Sequence, residues 1–192
     1  MTKSEKASNQ WQKANKAFTL YQEYLTSKGE NRLNLTVVDL LFISNFKGGS
    51  STIADDARVI STALEAYTLA ICQIDQAFHD RTLGSLTERE IDVLIQLVVH
   101  ALRIVDENPI NGFYHSFFSA LLCSMFPSLL PIIDKWIIPN LELAPRGTGN
   151  WQIDNIGDYY PEVIRRFHHR LSKEQRLSVR ELDKRLFIER PE

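Results

Sequence analysis

The chain is poor in cysteine. Cys72 and Cys123 are its only two, too few and too scattered for a disulfide framework. Eight glycines and seven prolines in 192 residues exclude collagen-like and low-complexity classes. No apolar run reaches the roughly 18 residues of a membrane span. The nearest stretch, Phe117 to Ile138, is broken by Pro127, Pro131, Asp134 and Lys135, so no membrane association is expected. Residues 1–16 are polar and lack the apolar run of a secretory signal, which predicts a cytoplasmic protein. Neither sign of charge dominates: 22 Lys and Arg stand against 24 Asp and Glu, and a net charge of −2 exerts no global pull on nucleic acid or membrane.

Forty-four per cent of residues are hydrophobic and 24% charged, the balance of a folded domain, and 192 residues fit one domain. The patterning is helical. Trp11, Ala14, Phe18, Tyr21 and Leu25 recur at three- and four-residue steps, predicting a helix from Ser8 to Lys28 stopped by Gly29. Leu35 to Phe46 reads as a short helix opened by Thr36 and Asp39, although its β-branched residues would also suit a strand. A long helix is expected over Ile53–Asp80, capped by Ser51 or Thr52. Its apolar residues Ile53, Ala57, Ile60, Leu64, Tyr67, Ile71, Ile74 and Phe78 alternate steps of four and three.

Thr87 and Glu90 form a capping box for a helix that ends at Asn108-Pro109. Gly112–Met125 is almost wholly apolar, and a short helix is expected over Leu129–Ile138, capped by Ser128 and closed by Pro139. Asn140–Gly157 is the longest irregular stretch. Asp158 is expected to cap a helix to Leu171, and Ser178 with Glu181 to open a last one. The fold class predicted is all-α, a single domain of seven or eight helices with two long central ones. Ile60, Leu64, Tyr67, Ile71, Leu94, Val98 and Leu102 are expected to be buried where those two meet.

Chemistry has few anchors. Lys47-Gly48-Gly49 could offer a lysine and glycine amides to an anion, but the order is wrong for a Walker loop, and Asp55 and Asp56 follow closely. A plain flexible connection is the alternative. The five histidines fall in no metal spacing, so neither metal nor cofactor is expected. Cys72 and Cys123 sit in apolar patterns and read as reduced core thiols. Asp134 interrupts an apolar stretch. A carboxylate there is either a surface or capping group, or a general base or electrostatic stabiliser in a cleft. Residues 161–192 carry nine Lys and Arg against six Asp and Glu, and Arg165, Arg166 and Arg170 could form a phosphate-binding stripe or an ordinary salt-bridged face.

Three blocks carry a resemblance. They are Phe117-Phe118-Ser119-Ala120-Leu121-Leu122 with Phe126-Pro127 and Pro131-Ile132-Ile133-Asp134; Ile43-Ser44-Asn45-Phe46-Lys47-Gly48-Gly49; and Ser178-Val179-Arg180-Glu181-Leu182-Asp183-Lys184. Together they resemble a pattern in bacterial proteins that look like relatives of helix-hairpin-helix DNA glycosylases of the 8-oxoguanine type. The resemblance implies a catalytic role for Asp134, the one functional residue that transfers by position. Ala120 stands where the pattern carries Lys, and no Leu-x-Gly-Ile-Gly hairpin is found.

Two functions therefore compete. One is a non-enzymatic helical interaction domain, binding a protein partner or itself through the aromatic stripe of Trp11 to Leu25. The other is a nucleic-acid-binding, glycosylase-like protein acting on DNA through Asp134, with Lys47, Gly48, Gly49, Arg165, Arg166 and Arg170 as backbone contacts. A concave, basic-rimmed pocket around Asp134 would favour the second.

Overall fold

A computed structural model describes residues 3–48, 52–143, 153, 155–174 and 176–188. Among them are eight α-helices and no strand. They are α1 (Lys3–Ser27), α2 (Val37–Lys47), α3 (Ala57–Phe78), α4 (Glu88–Glu107), α5 (His115–Met125), α6 (Ile137–Asn140), α7 (Tyr160–Lys173) and α8 (Val179–Ile188). The fold is all-α.

The centre is the packing of α3 on α4, and all seven residues expected there are buried. Around it one contiguous core takes side chains from every helix, from Phe18 on α1 to Leu186 on α8. The Trp11–Leu25 stripe belongs to this interior. Trp11 and Phe18 are each 8% exposed, Leu25 6% and Tyr21 not at all. The stripe expected to serve a partner is consumed by the fold, because its rings pack against α2 and α8: Phe18 on Phe46 and Trp11 on Phe187.

The helix ends show which local signals act. Thr36 and Asp39 form their capping box and α2 is a helix, as the spacing favoured; Gly48 closes it in the left-handed region at φ 90°. The boxes at Thr87–Glu90 and Ser178–Glu181 also form. Three expectations need correction. Helix α1 starts at Lys3 rather than Ser8, its first turns being built from good helix formers such as Lys, Glu and Ala. Helix α3 starts at Ala57, with Asp56 rather than Ser51 or Thr52 as cap, its carboxylate accepting the Arg58 amide. Asp55 turns away to accept the Asn111 amide at 2.5 Å. Asp158 lies in a 3-10 turn, Ile156–Tyr159, and Tyr159 holds the cap position of α7.

The largest correction concerns Leu129–Ile138. No helix runs through it; the chain is irregular from Leu130 to Asp134, and only the four-residue α6 follows, with Pro139 inside it. Helical bonding is replaced by side-chain hydroxyls from neighbouring helices. Ser119 accepts the Ile133 amide, Ser116 donates to the Ile133 carbonyl and Tyr160 donates to the Pro131 carbonyl. These bonds satisfy buried backbone that would otherwise cost about 1–3 kcal/mol per group. They also fix where Asp134 emerges.

Candidate functional site

The end of α2, the irregular segment before α6, and α8 meet α1 around a cleft of about 770 Å³. Lys47 and Gly48 reach it from the last turn of α2, Asp134 from the end of the irregular segment, and Arg180 and Asp183 from α8. Trp11, Phe46, Trp136 and Phe187 give it aromatic walls, and Lys13 and Lys16 of α1 stand on its rim. All three blocks of sequence that carry the glycosylase resemblance contribute to this one cleft.

Asp134 is held from two sides. Its Oδ2 lies 2.8 Å from Lys47 Nζ, and its Oδ1 accepts the Trp136 amide at 3.0 Å. The pair is largely withdrawn from water, with 11% of the Lys47 side chain and 21% of that of Asp134 exposed. Burial alone would raise the Asp134 carboxyl. The Lys47 ammonium, the Trp136 amide and the charge of Lys135 outweigh it and hold the carboxyl below its ordinary range.

Behind this pair lies a second. Asp183, 1% exposed, is bonded to the Arg180 guanidinium. Arg180 Cζ sits 4.4 Å from the ring centres of both Trp11 and Phe18 and 5.6 Å from that of Phe46, so three aromatic faces share its charge. Its Nε is buried without an acceptor among the described residues. Burial pushes the Asp183 carboxyl up, Arg180 pulls it down, Asp134 pushes it up and Lys47 pulls it down; the outcome is about 6. One cleft thus holds two carboxyls of opposite tendency, Asp134 held down chiefly by Lys47 and Asp183 pushed up by burial.

Of the residues proposed from sequence, the structure brings Lys47, Gly48 and Asp134 together. Lys47 does so as the ion-pair partner of Asp134. Gly49 lies outside the described residues. Arg165, Arg166 and Arg170 stand apart on α7 and do not line the cleft. Arg165 pairs with Asp92 at 2.7 Å and Arg166 with Glu162 at 2.9 Å, while Arg170 donates to the Asn140 carbonyl at 3.4 Å. Ala120, where the resemblance has lysine, is fully buried. Cys123 is also fully buried, and burial pushes its thiol up to about 12, so it remains protonated.

Arg180 and Asp183 were not singled out from sequence as a site, yet a signal exists. Val179, Leu182, Asp183 and Leu186 occupy i, i+3, i+4 and i+7, so Asp183 lies on the apolar stripe of α8. Lys47 likewise follows Leu40 and Ile43 on the buried face of α2. A charge on the wrong face of a helix is the legible mark.

Compared with family models, with curated proteins and with solved structures, the chain matches none. Among the described residues no group of three or more His, Cys, Asp or Glu could hold a metal ion, and no helix is long and apolar enough to cross a membrane.

Proposed function

We propose that the chain binds a nucleic-acid base in this cleft and cleaves its N-glycosidic bond, as a glycosylase-like enzyme. The observation that carries the reading is the Lys47–Asp134 pair, 2.8 Å apart in an aromatic-walled cleft where the three resemblance blocks converge. The half-buried rings of the lining, Trp136 and Phe187, suit a flat heterocycle, which stacks on such rings irrespective of its exact identity. Breaking the bond between sugar C1′ and base nitrogen sends the electron pair to the base and leaves positive charge on the sugar. A carboxylate kept ionised beside it, Asp134, stabilises that charge. Lys47 supplies from α2 the amine that the resembled pattern carries at position 120. As the bond breaks, the Lys47 ammonium gives one proton to the departing base anion; the amine so freed attacks C1′, and the second proton its nitrogen loses as the C–N bond forms passes to solvent.

The test is incubation with a panel of DNA duplexes, each carrying one oxidised, alkylated, deaminated or mispaired base, with released base measured by chromatography. Release by the wild type is expected, falling about a hundredfold or more in Asp134→Asn and in Lys47→Ala. Failure to release any base, together with no binding of free nucleosides, overturns the reading.

A second reading, a protein-interaction domain, has its own observation. Val37, Val38 and Leu41 on α2 and Val59 and Leu69 on α3 are exposed, and an apolar groove of about 760 Å³ lies between the start of α2 and α3. Light scattering tests self-association: a strictly monomeric mass at high concentration removes the homo-oligomer.

A further inference from the structure

Resting on the reading of the cleft as a nucleobase site, we propose that the N-terminal half of α1 is the track for the nucleic-acid backbone that delivers the base. A second concavity, of about 510 Å³, adjoins the cleft and is lined among the described residues by Lys6, Asn9, Gln10, Gln12, Lys13 and Lys16. Gln10, Lys13 and Lys16 line both, so the two spaces are continuous.

The helix geometry makes this a stripe. At about 100° per residue, positions 6 and 13 fall within about 20° of one another, and position 16 about 60° further round. From 6 to 16 the stripe runs roughly 15 Å. The buried face of the same helix is spent on Ala7, Trp11, Phe18 and Tyr21, so the lysines are left to solvent.

The stripe's charge is uncancelled. None of the three ammonium groups makes an ion pair or hydrogen bond among the described residues, in contrast to Arg165 and Arg166. Among the described residues no carboxylate lines the second concavity, and Asp134 and Asp183, each with its own cation, are the ones lining the cleft. A row of lysines leading into a space walled by tryptophan and phenylalanine joins the two halves of single-strand recognition: phosphates on cations and bases on rings. Gln12, between Lys6 and Lys13, suits a hydrogen bond to a phosphate or sugar oxygen, which positions a strand without reading its sequence. The backbone contacts thus fall on Lys6, Lys13 and Lys16, away from the arginines of α7.

The test is fluorescence anisotropy with an end-labelled, mixed-sequence single-stranded DNA, repeated across a sodium chloride series. It compares the wild type, Lys6→Ala/Lys13→Ala/Lys16→Ala, and Arg165→Ala/Arg166→Ala/Arg170→Ala, with circular dichroism melts to verify folding. Losing three phosphate contacts should flatten the dependence of log K on log salt by about 2, at about 0.7 per contact, and weaken low-salt binding at least tenfold. The α7 variant should bind within about twofold of wild type, its arginines being committed to internal partners. Quenching of tryptophan fluorescence by free nucleosides reports on the cleft separately. If the α1 variant keeps the wild-type slope, the track is wrong and the cleft reading stands. If the wild type binds nucleosides but no oligonucleotide, the track again falls alone. If it binds neither, both fall.

Discussion

Replacing Lys47 by methionine keeps most of the side-chain volume and removes the charge that faces Asp134. At 2.8 Å and an effective dielectric of about 20, the attraction lost is about 6 kcal/mol before solvation is counted. Most of that is already offset in the wild type by the cost of withdrawing both ions from water. What the variant adds is an orphaned carboxylate, which costs about 3–5 kcal/mol when fully buried. A fifth of the Asp134 side chain still meets solvent, so the expected loss is about 2–4 kcal/mol at neutral pH.

The pH dependence sharpens the case. In the wild type the folded-state value of Asp134 lies below its unfolded value. Its stabilising contribution is therefore present above the unfolded value and disappears only as pH falls through the folded one. In Lys47→Met the main cause of the depression is gone and burial pushes the carboxyl up. In acidic buffer the variant's Asp134 therefore takes up its proton at a higher pH than the wild-type pair does. The penalty of the variant should then shrink, because a protonated carboxyl is cheaper to bury than a charge. Asp134→Asn in the Lys47→Met background should recover much of the loss at neutral pH, with a coupling of about 2 kcal/mol. Urea unfolding of the four proteins in neutral and in acidic buffer is the assay. A loss below ~1 kcal/mol, or additive single variants, would show that the two charges do not depend on each other.

Two further outcomes follow from the packing and from the second carboxyl. Leu94, fully buried between α3 and α4, should cost about 2–5 kcal/mol when cut to alanine, measured by denaturant unfolding; under ~1 kcal/mol would misplace the core. Asp183 works in the opposite sense to Asp134. Its folded value, about 6, lies above the unfolded one, so stability should decline as pH rises from about 4 to 6 and then level off. Asp183→Asn should flatten that part of a melting-temperature profile, and an unchanged profile would relocate the titration to another group.

Much of the fold was legible because it rests on short-range signals. The three capping boxes, the alternating steps of the third helix and the Asn108-Pro109 stop each decide an element through neighbours in sequence. Leu129–Ile138 departs from its helical pattern because its decisive bonds are not local. Ser116 and Ser119 on α5 and Tyr160 on α7 capture the backbone of residues 131–133, which no pattern within that segment announces. The candidate site was half visible for the same reason. Asp134 stands out as a charge in an apolar stretch, but its partner Lys47 is 87 residues away, and the pairing exists only once α2 has packed on α5.

The molecule contains its own control for the functional weight placed on Asp134. Asp39 is another acid in an apolar setting, also paired with a lysine, and is fully buried. Its acceptor capacity is filled by the Lys28 ammonium, the Tyr21 hydroxyl, and the Thr36 amide and hydroxyl. Burial, then the Asp39 charge and hydrogen bond, push the Tyr21 hydroxyl well above its ordinary range, so this group stays a donor. Asp39 lines none of the larger concavities among the described residues, and its bonds either cap α2 through Thr36 or tie α2 to Tyr21 on α1 and to Lys28 just after it. Among the described residues Asp134 accepts from two donor groups where Asp39 accepts from four, and it faces an open cleft. Asparagine should separate the two. At position 39 it replaces an acceptor of several bonds with a group that must also donate, and should cost about 2–4 kcal/mol of stability while leaving nucleoside binding unchanged. At position 134 it should cost less in stability, because the cleft lets water solvate the amide, but cut base release about a hundredfold or more. If Asp134→Asn destabilises as strongly as Asp39→Asn and leaves nucleoside binding and base release at wild-type levels, the Lys47–Asp134 pair is a structural clasp like its counterpart on α1 and α2.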